Sequence, residues 1–313
     1  MSRSSRHVLP LVTAAACWGL GAVASKRAVD EIAAPMLLVI QLVASSLALV
    51  VLAAGSGRAL LPSRDRLRIG ALGVLNPGLA YMLSLAGLAR ITAGLSVLLW
   101  SLEPILIMAI AWIVLRERLR PPAVVFSAVA VTGAAVAGAA GTGGADVGGV
   151  ALTVGGVACC AIYTVATSTQ LGEGSALPVV VVQQLFALGF AVVALAVQVW
   201  AGATLALDQV SGTAWASAVA SGVLYYGLAF WAFLSGLRCT SASTAGVFLS
   251  LIPLFGITAG WLLLGERMTL VQAGGACVAV VAVVAMVTLT RDRHRTEAPP
   301  EDNAASGVGF QQS

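Results

Sequence analysis

The sequence predicts an all-α integral membrane protein of ten transmembrane helices, arranged as two inverted five-helix repeats, and three observations carry that prediction. Apolar residues fill 59% of the 313 positions and charged residues only 10%, so a fold in water would leave most of its surface apolar and aggregate. The apolar residues also fall in ten blocks, each close to the roughly 20 residues needed to cross about 30 Å of hydrocarbon at helical rise. Finally, a shift of 149 residues, which carries Ala71 onto Ala220, lays one stretch of the chain on another. Continuous apolar runs without strict alternation point to helices rather than a barrel, because backbone in lipid must satisfy its own hydrogen bonds.

The predicted spans are 8 to 25, 36 to 54, 69 to 89, 93 to 115, 122 to 140, 147 to 169, 176 to 200, 212 to 236, 242 to 264 and 270 to 290. The first imitates a secretory signal, with Arg3 and Arg6 ahead of an apolar stretch ending Ala22-Val23-Ala24. It is read as a retained helix because the repeat needs it, and because Ala14 stands where a lipoprotein signal before Cys17 wants a larger aliphatic. With the amino terminus inside, the inner segments hold 13 arginines, Arg58, Arg64, Arg66, Arg68, Arg116, Arg118, Arg120 and Arg238 among them, against Lys26, Arg27, Arg90 and Arg267 outside. Both termini are therefore expected in the cytoplasm of a multi-pass cell-membrane protein. The basic residues are scattered over loops without stacking aromatics, so no nucleic-acid partner is expected. Residues 1 to 142 and 143 to 290 are expected to form the two repeats, and 291 to 313, with Pro299 and Pro300, a disordered tail.

The repeat is densest in the third and fourth spans. Ala71, Gly73, Val74, Leu75, Gly78, Leu79, Ala80, Gly87 and Leu88 meet Ala220, Gly222, Val223, Leu224, Gly227, Leu228, Ala229, Gly236 and Leu237. Ser101, Leu102, Pro104, Trp112, Leu115, Glu117 and Arg118 meet Ser250, Leu251, Pro253, Trp261, Leu264, Glu266 and Arg267. A five-helix unit is odd, so its second copy enters the membrane from the opposite side. Such inverted repeats are the architecture of alternating-access carriers.

Glu103 is the one acidic residue in the middle of a predicted span. A charged carboxylate facing lipid there costs several kcal/mol, so it is expected to face the bundle interior. Two roles stand open, a proton-accepting or amine-binding site and a permanently protonated structural carboxyl. Trp100 shares its face one turn earlier. Asn76, Tyr81, Tyr163, Tyr225 and Tyr226 add polar groups near mid-membrane, and Trp18 sits on the first helix; aromatics in apolar helices are more often packing residues or interface anchors than substrate contacts. Pro104 and Pro253 are candidate hinges or static kinks. Lys26, the only lysine, ends the first helix and is read as snorkelling to the headgroups. Cys159 and Cys160 are read as small buried apolar residues. Glu117-Arg118 and Glu266-Arg267 are read as ties from one helix end to the start of the next, and Gly256 with Gly260 as a packing ridge.

Trp18-Gly19, Leu102-Glu103-Pro104, Leu115-Arg116-Glu117-Arg118-Leu119 and, in the second half, Pro253 with Leu264-Gly265-Glu266-Arg267-Met268 resemble the EamA-type branch of the drug/metabolite transporter superfamily over essentially residues 8 to 290. The resemblance implies a secondary transporter, an exporter of amino acids, metabolites or drugs, with a central cavity lined by helices 1, 3, 4, 6, 8 and 9. For Lys26 the resemblance implies, beside snorkelling, a gate or a contact to a substrate carboxylate. The second half departs from the pattern in lacking a counterpart of Trp18-Gly19 near Ala161-Ile162, and the first in carrying Arg116 where the second has Gly265.

An enzyme is not expected. His7 and His294 both lie in tails, no GxSxG, HExxH or phosphate-loop pattern occurs, and no metal or cofactor is expected. A passive channel or a non-transporting scaffold is the competing reading. The expected partners are a small-molecule substrate, the lipid bilayer and, through Glu103, protons; a homodimer is compatible with the sequence but not specified by it.

Overall fold

The computed structural model describes residues 8 to 264 except 30, 56–62, 89, 91–98, 101, 118–120, 122–123, 126–127, 130–145, 172–174, 204 and 206, and beyond 264 only positions 270, 274 and 281. Seven of the ten expected spans fall almost wholly within these residues and the fourth in part; the fifth and tenth are described only at scattered positions, and Glu266-Arg267 and the tail lie outside. The first two helices are α1 (Val8–Val29) and α2 (Ala34–Gly55). The third span is α3 (Ser63–Gly73), a π-helical turn over Val74–Leu79 and α4 (Ala80–Leu88). The fourth contributes α5 (Glu103–Leu115), and α6 (Val147–Ser168) and α7 (Ala176–Trp200) follow. The eighth is α8 (Gly212–Ser221), a second π-helical turn over Gly222–Leu228 and α9 (Ala229–Leu237). The ninth is α10 (Ala242–Phe248), a 3-10 turn over Leu249–Leu251 and α11 (Ile252–Leu264). Five of the described stretches are long and apolar enough to cross a membrane unaided. Large apolar side chains such as Val51, Val193 and Trp200 lie on the outside of the bundle, where only lipid could cover them.

The duplication in sequence is a duplication in backbone. Adding 149 to the bounds of α3 and α4 gives the first residue of α8 and both ends of α9, and it carries one π turn onto the other. Pro77 lies inside the first turn, with Asn76 extended at φ −148° and ψ 123° just before it. Its repeat partner is Tyr226, so the second turn forms without a proline. Proline chemistry is therefore not the common cause; what the turns share is the Gly73/Gly222 and Gly78/Gly227 pattern.

Three expectations need correction. The helix expected over 93 to 115 is interrupted by a turn at Leu102, where the Leu102 N–H reaches the Leu99 carbonyl at 3.1 Å, and α5 starts at Glu103. Pro104 thus occupies the first turn of a helix, where a missing N–H costs nothing, rather than breaking a continuous one. Pro253 stands at the matching second position of α11. The third helix begins at Ser63, so Arg64, Arg66 and Arg68 ride on its first turns instead of in a loop. Lys26 lies inside α1, which runs on to Val29, and its side chain is outside the described residues.

Partners in the bundle come mostly from the other repeat. Helix α1 packs on α8, α9 and α11; α2 on α7 and the second π turn; α3 on α7; α4 and α5 on α6; and α5 on α10. Apart from α5 on α10, whose mate falls on residues outside those described, each of these pairings has its mate under exchange of the halves. The approaches are made by small residues, as in membrane interfaces generally. A Cβ on Gly19 would stand 2.6 Å from the Gly256 nitrogen.

Arg116, at the end of α5, is the one non-glycine residue at positive φ among the described residues, at φ 54° and ψ 30°. A side chain in that left-handed region costs about 1 kcal/mol, and glycine does not pay it. The expected outcome of Arg116→Gly is a higher melting midpoint in detergent, with stability up by about 1 kcal/mol.

Candidate transport site

Polar residues within the spans divide into two groups. The first is structural. Gln41 donates to Ser25 and Ser221, each at 2.8 Å, and in the other half Gln183 donates to Thr167 at 3.5 Å while accepting from the Tyr163 hydroxyl at 2.8 Å. Gln184 donates to the Tyr226 carbonyl at 2.7 Å and accepts from Ser45 at 3.0 Å. These amides tie α2 and α7 to their neighbours where no water competes, and a satisfied polar network of this kind fixes helix register. Tyr163, a candidate contact, is fully buried, and its hydroxyl is occupied by Gln183.

The second group converges on the centre. The Tyr81 ring stacks on Trp100, with centroids 5.8 Å apart, and meets Tyr225 and Tyr226 edge-on at 5.6 and 5.4 Å. Tyr225 and Tyr226 lie 5.1 Å from each other. The π turn over Gly222–Leu228 brings these two adjacent residues toward one partner, since it alters the angular spacing of side chains along the helix. Glu103 opens α5 beside this cluster, with the positive end of the helix at its carboxyl. Its carboxyl is within electrostatic reach of the Tyr225 hydroxyl and the Cys160 thiol. Cys160, 2% exposed, also lies within reach of Tyr81, Tyr163 and Tyr226.

A second aromatic set adjoins it. Trp18 packs edge-on against Phe230 at 5.5 Å and against Phe233 at 5.3 Å, and Tyr163 reaches Phe230 at 6.1 Å. The two sets meet along α1, where Gly21, one turn after Trp18, lies under Tyr225. Among the described residues five buried side-chain polar atoms have no protein partner: the Trp18 indole N–H, the Asn76 and Gln170 side-chain oxygens and the Ser46 and Ser84 hydroxyls. Of these, Trp18 belongs to the second aromatic set and Asn76 to the first π turn, and an open donor and an open acceptor suit a polar solute or water.

Among the candidates, Glu103, Trp100, Tyr81, Tyr225 and Tyr226 come together, Trp18 and Tyr163 belong to the neighbouring set around Phe230, and Asn76 supplies an open acceptor from its π turn. Cys160, read from the sequence with Cys159 as a small buried apolar residue, is buried as expected; its place among these tyrosines had no signal in the sequence. Gln41, Gln183 and Gln184 were visible as amides inside apolar runs and should have marked the tied crossings.

The family model for the EamA-like transporter family matches this chain twice, over residues 6–139 and 147–288. The chain belongs to the EamA-like transporter family. This EamA-like transporter therefore contains a duplicated domain, and membership implies secondary transport of a small molecule across a membrane rather than enzymatic catalysis. A solved structure described as "Crystal structure of protein" superimposes with a TM-score of 0.78 at 20% identity, over 92% of this chain and 100% of that one. That likeness bears on the fold alone. No curated protein matches the EamA-like transporter described here.

Proposed function

We propose that this transporter exports small metabolites, amino acids or amphipathic drug-like compounds, by alternating access, with Glu103 binding the proton or the substrate amine. Residues 1 to 142 and 143 to 290 act as the two repeats, and both termini lie in the cytoplasm. The observation that carries the reading is the gathering of Glu103, Trp100, Tyr81, Tyr225 and Tyr226 from three different spans around one point. Aromatic faces with a carboxylate beside them suit a ligand that has an apolar body and an amine. Asn76 and Trp18 would meet its remaining polar groups, and Lys26 acts at one entrance. Pro104 and Pro253, at matching helix starts, serve as the hinges.

The test is uptake of ethidium and radiolabelled amino acids into proteoliposomes under an imposed pH gradient. Accumulation above the outside concentration supports a coupled carrier. Equilibration alone makes the protein a facilitator or channel, and no uptake of any probe argues for a scaffold. For a substrate so identified, Tyr81→Ala is expected to raise KM about tenfold. The change removes a ring that holds three others in position, and each such contact is worth about 0.5–1.5 kcal/mol.

A further inference from the structure

The Glu117 carboxylate crosses from the first repeat to the second. It accepts hydrogen bonds from the Ala242 N–H at 3.2 Å, the Ser243 N–H at 3.3 Å and the Ser243 hydroxyl at 2.7 Å. The sequence ties Glu117 to the start of the helix that follows it in the chain, most of which lies outside the described residues; the structure shows a tie to α10, more than 120 residues away. Arg116 makes this reach, since its left-handed backbone turns the chain out of α5 and aims the next side chain sideways. The contact is also dispensable for α10 itself. Ser241 caps that helix from within its own strand of chain, its hydroxyl accepting from the Thr244 N–H at 3.2 Å. Two helix-terminal N–H groups are thereby left for an acceptor from elsewhere, and the site is half-buried, so water can take them over. A recess of about 420 Å³, lined by Trp112, Ile113, Arg116 and Glu117, adjoins the contact.

We propose that Glu117 is a gating residue, a latch that holds α5 against α10 at this end of the bundle and must release each time that end opens. The inference rests on the alternating-access reading above. Alternating access requires contacts between repeats at one end to break while those at the other persist. At the opposite end, Glu31 makes the comparable contact, accepting from the Ser211 N–H at 2.6 Å and hydroxyl at 2.8 Å at the start of α8. Those bonds hold the Glu31 carboxyl below its ordinary value, so it is ionised at neutral pH. The Glu117 contact differs in joining α5, which carries Glu103, to the span that packs against it, with Ile107 against Gly246 further along the same crossing. Opening this end therefore moves the Glu103 helix.

The test uses the full-length protein with Cys239→Ser to remove an exposed thiol. In Ser243→Cys, labelling by a membrane-impermeant maleimide is measured in vesicles of each orientation, with Glu117 intact, as Glu117→Gln and as Glu117→Asp. A latch predicts labelling at least tenfold faster in Glu117→Gln, with Glu117→Asp restoring most of the protection. Equal rates in all three overturn the proposal, whatever the protein transports. In Glu117→Cys/Ser243→Cys, a short thiol cross-linker is expected to stop ethidium or amino-acid uptake, reversibly if the linker is cleavable. Undiminished uptake by the cross-linked protein, with wild type active, overturns the latch while sparing the transport reading. An inactive wild type sinks the transport reading, and the labelling rates still decide the contact.

Discussion

Proteoliposomes carrying Glu103→Gln are expected to lose uphill uptake altogether while keeping a folded protein. Glutamine preserves the shape and hydrogen-bonding capacity of a neutral carboxyl, so the packing around Tyr225 and Cys160 survives. What it removes is the exchangeable proton and the negative charge. A proton crossing 100 mV supplies roughly 2.3 kcal/mol, enough for a gradient of about fifty-fold in a neutral solute. The prediction is a fall from such a gradient to simple equilibration. The repeat equivalent of Glu103 is Ile252, so no second carboxyl at the symmetric position can substitute. Uphill uptake that survives the change, with the pH gradient still required, would move the coupling to another group and leave Glu103 structural.

The second large effect is on folding. Gly73→Val and Gly222→Val are each expected to destabilise the protein by at least about 3 kcal/mol, seen as loss of monodisperse protein in detergent and a sharply lowered melting midpoint. A Cβ on Gly222 would lie 2.5 Å from the Gln41 carbonyl oxygen and 2.8 Å from its Cα, and one on Gly73 would collide with the Gln183 carbonyl. Backbone is the obstacle in both cases, so no rotamer change relieves the contact. The two crossings are the same contact made twice, α8 on α2 and α3 on α7. A control at Gly189, which has open space around its Cβ position, is expected to change stability by less than about 1 kcal/mol.

Much of this was legible in the sequence, because lipid imposes few options. The span boundaries at 147, 176, 212 and 242 were set by the edges of apolar blocks, and the helices begin there because Asp146, Ser175, Ser211 and Ser241 cap them. Tyr81, Tyr225 and Tyr226 were legible as polar groups near mid-membrane, and only the family resemblance put their spans around one cavity; that the rings touch depends on packing. Less was legible where hydropathy is silent. A π turn leaves no trace in apolar composition, although Pro77 within the third span was a visible warning that the helix could not run straight. Nor could periodicity tell that Glu117 would reach α10, since that depends on an arginine taking up a conformation usually left to glycine. The hub position of Cys160 followed from packing alone.

The interleaving of the repeats has a consequence for biosynthesis. Helix α1 ends at Val29, and its main partners begin at Gly212, so about 180 residues are made between them. At about 5–20 residues per second, that is an interval of roughly 10–40 s. During it Gly19 and Gly21, shaped for close contact with α11 and the second π turn, face lipid or whatever protein is at hand. The nascent first half therefore spends that interval in the membrane with its closest-packing faces still waiting for their native partners.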